Sequence, residues 1–246
     1  MLAVLLTLLV FFPAAWMASA VEKQTGGRLT LGDATGTLWR GSAFVGGAPS
    51  GNDAVTPLLP GRFAWKLSPL VLLGMVDLTL ENPDSLQAPV RITGSWSTWQ
   101  VAPGVLKLPA SGLAGLGAPL NTLAPNGRME LSWTALELHR QQNRMEVAGR
   151  TTLTIADVSS QLSSIRPLGS YRIVFDWRGA QASMNLATDK GPLLLTGSGA
   201  INKGRFTFSG QARAENGQEE ALANLLNLLG QRRIEGGKTI IALEFK

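Results

Sequence analysis

The sequence predicts a mainly β protein. One N-terminal apolar helix precedes a strongly coiled antiparallel sheet that forms an open groove, a sandwich or a partly closed barrel, with one or two short helices. Three observations carry that prediction. Glycine and proline are frequent, at 28 and 13 residues, while charged residues make up only 16%, a composition of many turns and few long charged helices. Several stretches alternate at period two, most strictly Tyr171, Ile173, Phe175 and Trp177 against Arg172, Val174, Asp176 and Arg178. Finally, Leu2 to Ala20 contains no charged side chain at all.

About 20 such residues at 1.5 Å each span the roughly 30 Å hydrocarbon core of a bilayer. Residues 1–21 therefore read either as a transmembrane signal-anchor carried by Leu2, Leu5, Leu9, Phe12 and Trp16, with membrane lipid around it, or as a secretory signal. Residues 22–246 then form a β-rich domain outside the cytoplasm. The alternative is a secretory signal cleaved after Ala20: Leu2–Phe12 is an apolar run, Pro13 breaks it, and Ala18-Ser19-Ala20 has the small-x-small form. Retention is favoured by the apolar run continuing through Met17 and by Trp16 standing where an interfacial ring is expected. Either way the remainder leaves the cytoplasm. There is no cysteine, so stability beyond the membrane rests on an apolar core rather than on disulfides.

Along the chain, Gly-Arg recurs ahead of alternating residues at 27–28, 61–62, 127–128, 149–150 and 204–205. It reads as a glycine where a strand begins, followed by an arginine facing solvent. Two short strands fill Leu29–Val45 around Gly36–Gly41, and Gly46–Pro60 is a loop by its turn chemistry. Strands Arg62–Leu67 and Gly74–Glu81 are joined by Ser68–Leu73, an apolar run too short to span a membrane and expected in the core. Val90–Val101, with Trp96 and Trp99, is strand-like. The Gly-, Pro- and Leu-rich stretch around 103–126 is the candidate internal boundary.

The second half is more regular. Met129, Leu131 and Trp133 share a parity that Leu136 and Leu138 oppose, so a continuous strand needs a bulge near Thr134-Ala135. Met145 to Ile155 predicts one long strand in a hairpin. Asp157 is placed to cap a short helix through Val158, Leu162 and Ile165, ended by Pro167 and Gly169. Strands 171–178 and 180–187 follow, then a hairpin of 193–201 and 205–213. Asn216 is placed to cap a helix over Gln218–Leu229, with Gly230 as its stop. Leu222, Leu225, Leu226 and Leu229 form its apolar stripe, which either packs on the sheet or contacts a partner. Thr239–Phe245 is the closing strand.

The chemistry-bearing residues exclude more than they suggest. Without cysteine there is no thiol nucleophile or thiolate metal site, and the single histidine, His139, has no second histidine with which to share a metal. No Gly-x-Ser-x-Gly elbow and no phosphate-cradling loop occurs. These features argue against an enzyme, a cofactor and a metal. The net charge of +5 raises nucleic acid, but the arginines are scattered and Arg232-Arg233 is the only adjacent basic pair, unlike a nucleic-acid patch. Two other functions stay open: a lipid-binding or lipid-transfer groove in the coiled sheet, and a cell-wall glycan binder using exposed tryptophans.

Four segments resemble the N component of the bacterial type II (general) secretion pathway. They are Gly36–Gly41, Trp65–Leu70, Gly191–Gly199 and Leu225–Gly230, in the order anchor, β-rich body, leucine helix, terminal strand. The resemblance implies an accessory, non-catalytic inner-membrane component of the machine that exports folded proteins from the periplasm. Its partners would be other type II secretion components, and it favours an uncleaved anchor.

Overall fold

The computed structural model describes residues 11–27, 29–47, 55–109, 126–141, 144–202, 204–235 and 238–245. The chain divides into two compact units, the first ending at Lys107 and the second starting at Leu108. Residues 110–125 of the expected boundary stretch lie outside the described residues.

The first unit begins with helix α1 (Ala14–Gln24), followed by β1 (Leu29–Gly36), β2 (Arg40–Gly47), β3 (Thr56–Pro57) and β4 (Phe63–Leu67). A 3-10 turn, Pro69–Leu73, leads into β5 (Met75–Glu81), β6 (Val90–Ser95), β7 (Thr98–Val101) and β8 (Gly104–Pro109), the last crossing the unit boundary. From β1 the order runs β2, β4, β5, β6, β7, every neighbour antiparallel, with β3 extending the β4 edge of β2. Ala14, Ala43 and Trp65 form the buried centre, packed by Met17, Leu31, Ala34, Leu78 and Leu80. The Trp65 indole donates to the Leu38 carbonyl at 3.0 Å. Its ring lies so close to Gly41 that a Cβ there would stand 2.5 Å from Trp65 Cζ2, which is why this position carries no side chain.

The apolar leader differs from its expected form. Proline lacks an N–H and sterically restricts the residue before it, and Pro13 is extended, so α1 starts after it. The helix then runs past Val21 to include Glu22 and Lys23, with Ala14 buried on the sheet. Among the described residues no helix is long and apolar enough to cross a membrane; Leu2, Leu5 and Leu9 lie outside them.

The second unit comprises β9 (Asn126–Trp133), β10 (Leu136–Gln141), β11 (Arg144–Ser159), β12 (Gly169–Gly179), β13 (Gln181–Lys190), β14 (Leu193–Asn202) and β15 (Arg205–Ala214). Helix α2 (Glu219–Leu229), β16 (Gln231–Glu235) and β17 (Lys238–Phe245) complete it. Strands β11 to β15 are successive antiparallel neighbours; β17 then pairs with β15, and β16 with β17. Both β9 and β10 lie along the other edge of β11, and the register slips by one residue between Trp133↔Thr151 and Glu137↔Ala148. That is the expected bulge at Thr134-Ala135, held by Thr134 N donating to the Arg150 carbonyl at 3.1 Å. The sheet of this unit is open: among the described residues β16 closes on no other strand.

Two local expectations fail for identifiable reasons. No helix follows Asp157; β11 continues to Ser159, with Val158 paired to Gly169 beyond a register shift. Asp157 itself takes a left-handed conformation at φ 53°. Ser160 Oγ and Ser163 Oγ accept from the amides of Leu162 and Ile165, offering the backbone local turns instead of helical bonds. Asn216 does not cap α2 either: Gln218 occupies that position without a side-chain bond, and the Glu219 carboxylate accepts from Gly217 N at 2.8 Å. Gly230 does end the helix but in extended backbone, where a Cβ would meet the Ala242 carbonyl at 2.4 Å.

The Gly-Arg signature has a partner the sequence concealed. Arg62 pairs with Asp33, Arg128 with Asp157 and Arg150 with Asp176, each reaching an aspartate on another strand. Lys190 joins Arg128 on Asp157, and hydrogen bonds from Lys190 first and Arg128 second hold that carboxyl below the usual carboxylate range. A depressed folded-state value contributes stability that is complete above the ordinary range near pH 4 and is lost as the pH falls through the folded value. Asparagine tolerates the left-handed conformation as aspartate does, so Asp157→Asn isolates the charge. Its melting temperature is expected below that of the parent at pH 7, the gap closing as the pH is lowered towards 3; paired thermal unfolding at both pH values measures it.

Candidate interaction surface

The most exposed apolar surface of the first unit is built by connections rather than strands. Register places three chain reversals at one end of the sheet. Strand β1 ends and β2 begins there, since Gly36 faces Gly41; β4 arrives beside them through Arg40↔Lys66. Strand β5 leaves from the same end, and Met75↔Ser95 brings the β6–β7 turn alongside it. The reversal after β4 is the 3-10 turn, opened by Ser68 Oγ accepting from Leu70 N at 3.3 Å, with Pro69 in its first turn and left-handed Gly74 at its end. A five-residue 3-10 turn points its side chains all round its axis, so its apolar residues cannot all turn inward.

They do not. Leu70, Leu72, Leu73 and Met75 are 47%, 49%, 77% and 51% exposed, and Trp96 in the β6–β7 turn is 63% exposed. The Trp96 indole N–H donates to the Val71 carbonyl at 2.7 Å, locking the two reversals together. The expectation that Ser68–Leu73 packs in the core is thereby corrected: the run is apolar, but the chain reversal carries it to the surface. No charged residue occurs in 67–76, between Lys66 and Asp77, nor anywhere in 92–106. Inward on the strands the border is of mixed charge: Asp77 paired with Arg91, Lys66 paired with Glu81, and Arg40 beside Lys66. Burying five large apolar side chains that now stand about half exposed would release on the order of 5 kcal/mol. A contiguous patch of this kind marks a contact surface.

The N-terminal stretch meets the sheet at this same end. Leu38 N donates to the Phe12 carbonyl at 2.8 Å, and Pro13 bridges Thr37 in the β1–β2 turn. Phe12 and Trp16 touch edge-to-face with centroids 5.2 Å apart, while Trp16 and Phe11 are 65% and 67% exposed. Of the expected anchor residues, then, Phe12 and Trp16 stand where the chain joins the β1–β2 turn.

The second unit presents a different surface. Tyr171, Ile173, Phe175 and Trp177 of β12 share a face with Ile155 and Leu153 of β11 and with Met184 and Ala182 of β13. Phe175 and Trp177 stack at 5.9 Å, and Trp177 Nε1 donates to Thr151 Oγ1 at 3.0 Å. Helix α2 covers one end of this face: Leu222, Leu225 and Leu226 are buried with Leu168, Leu193, Ala212 and Ile241, and Leu229 packs against them. The predicted leucine stripe therefore lies inside the fold, and α2 shows solvent Leu228 instead. Tyr171 donates to the Leu193 carbonyl at 3.0 Å within the same buried end, where desolvation pushes its hydroxyl above the ordinary range. Towards β9 to β12, Trp133, Leu153, Ile173, Phe175 and Trp177 remain half-buried.

Among the described residues no three His, Cys, Asp or Glu side chains gather to hold a metal. His139 lies exposed on β10 opposite Glu146. The family model described as Type II secretion system (T2SS), protein N matches residues 27–241, most of the chain and parts of both units. No curated protein and no solved structure gives a match.

Proposed function

The chain belongs to the type II secretion system protein N family, and from that premise we propose that it is a non-catalytic accessory component of the machinery that exports folded proteins from the periplasm. In this reading the N-terminal segment stays uncleaved as the inner-membrane anchor, its part from Pro13 onward packing on the sheet, and both β units lie in the periplasm. There they contact other secretion components through surfaces rather than a reaction centre, with no metal, cofactor or nucleic acid involved. The observation that carries the proposal is the family match across residues 27–241. The exposed leucines of the 3-10 turn support it, because a surface that could release several kcal/mol on burial is suited to assembly.

Affinity capture of the full-length protein from membranes is expected to bring down other secretion components, and deletion of the gene to reduce export of the secreted proteins. A deletion that left both assembly and export intact would sink the proposal. The amino-terminal sequence of the membrane-bound protein tests the anchor separately: an intact Met1–Val21 supports it, and a start at Val21 replaces it with a cleaved signal.

A second reading, a lipid-handling protein, is favoured by the half-buried apolar face formed by β11 and β12. It expects stoichiometric phospholipid in solvent extracts of the purified protein. Extracts free of lipid would remove it.

A further inference from the structure

We propose that the leucine turn and Trp96 form a second membrane contact, seating the first unit on the bilayer that receives the N-terminal segment. This rests on the anchor reading given above. Three observations combine to name a bilayer as the occupant. First, the chain reaches the sheet at the end where the patch lies, because Phe12 and Pro13 are bonded to Leu38 and Thr37 of the β1–β2 turn. The ten residues ahead of Phe11 carry no charged side chain, so a membrane holding them lies against this end and not the opposite one. Second, the patch consists of protruding reversals, with Leu73 77% and Trp96 63% exposed, and it has no charged residue of its own. Third, the order of side chains matches the layers of an interface: apolar tips and an indole outermost, then, inward on the strands, Arg40 and the ion pairs Asp77–Arg91 and Lys66–Glu81. Tryptophan and basic residues settle at headgroup depth while aliphatic tips enter the acyl boundary.

Strands lie about 4.8 Å apart, so the β1–β2 turn and the β6–β7 turn are separated by roughly 15–20 Å along the sheet. Two contacts at that spacing fix the tilt of the unit, which a single flexible tether cannot do. The patch carries the contact by apolar insertion, so it works on zwitterionic lipid as well as on anionic lipid.

The chain has no cysteine, which allows single nitroxide labels on the full-length protein in phosphatidylcholine vesicles. Labels at Leu73→Cys and Ser97→Cys are expected to show a several-fold higher ratio of oxygen to nickel-chelate collisions than a label at Val55→Cys. Val55 is equally apolar and 55% exposed, but it precedes β3, which pairs with Gly46 and Gly47 at the far end of β2. Adding Leu72→Glu and Leu73→Glu is expected to return the Ser97 label to the aqueous ratio without changing the melting temperature. If the protein floats with the vesicles but the Leu73 label is as aqueous as the Val55 label, the second contact is wrong and the anchor stands. If the protein does not float at all, both fall. A Leu73 label shielded from oxygen and nickel alike indicates contact with a second protein chain and overturns the proposal.

Discussion

Replacing Leu222 by alanine is expected to destabilise the second unit by about 3–5 kcal/mol, near the upper end for a leucine truncation. The side chain is 0% exposed and sits among Leu168, Leu193, Ala212, Leu225, Leu226 and Ile241. The cost of such a change has a transfer part and a cavity part, and the cavity part depends on whether neighbours can move in. Here three of them belong to strands. Leu193 faces Ala214, and Ala212 faces both Leu195 and Ile241, so each is held by ladder hydrogen bonds on β14, β15 or β17. Helix α2 has no side-chain cap, and Leu225 and Leu226 seat it on the sheet in the turn after Leu222, so it cannot collapse into the gap without lifting them. Leu228→Ala, on the same helix but 53% exposed, serves as the control and is expected to change stability by no more than about 0.5 kcal/mol. Urea unfolding with unchanged slope and a lowered midpoint measures the difference. Equal midpoints for the two variants would mean that α2 does not pack as described.

The same residues show which parts of the fold could be read in advance. Strict alternation at Tyr171–Arg178 gave β12 because a one-sided sheet forces period two, and the parity break at Thr134-Ala135 gave the bulge because only an extra residue restores it. The leucine stripe of α2 was equally legible as a helix, and its burial is what an amphipathic face on a sheet requires. Position relative to the sheet was not legible. Ser68–Leu73 is as apolar as a core segment, and hydrophobicity alone does not say that a reversal between two short strands leaves its leucines exposed. The usable signal was that the run is flanked by strands of five and seven residues and holds no charge, which fits a protruding apolar tip. The aspartate partners of the Gly-Arg arginines were hidden for another reason: Arg62 and Asp33, or Arg128 and Asp157, are 29 positions apart, and only the register brings them together. Serine at 160 and 163 could have warned against a helix, since each closes a turn on itself.

Gly191→Ala is expected to be at least as damaging as the leucine truncation, by roughly 3–5 kcal/mol or through failure to fold. Gly191 joins β13 to β14 with φ 115°, and a Cβ there would stand 2.3 Å from Gly169 Cα and 2.7 Å from the Leu168 carbonyl oxygen. Both obstacles are backbone, so no rotamer change relieves them. The close approach is also what lets Leu193 N donate to that Leu168 carbonyl at 2.9 Å, while Leu168 N donates to Val158 at 2.6 Å. Any movement that accommodates the methyl group therefore pulls apart the tie between the β13–β14 turn and the connection preceding β12. It also displaces Leu168 and Leu193 from the cluster around Leu222. Gly204 supplies the matched comparison: its φ is 81°, and nothing lies within 4 Å of a Cβ built on it. Gly204→Ala thus carries only the conformational cost of a left-handed residue, about 1–2 kcal/mol. The difference between the two variants in urea midpoint measures the close packing of backbone against backbone, and similar midpoints would show that the two connections are not in contact. Because Leu168 and Leu193 belong to the cluster that seats α2, Gly191→Ala and Leu222→Ala share neighbours, so their combined effect is expected to be less than additive.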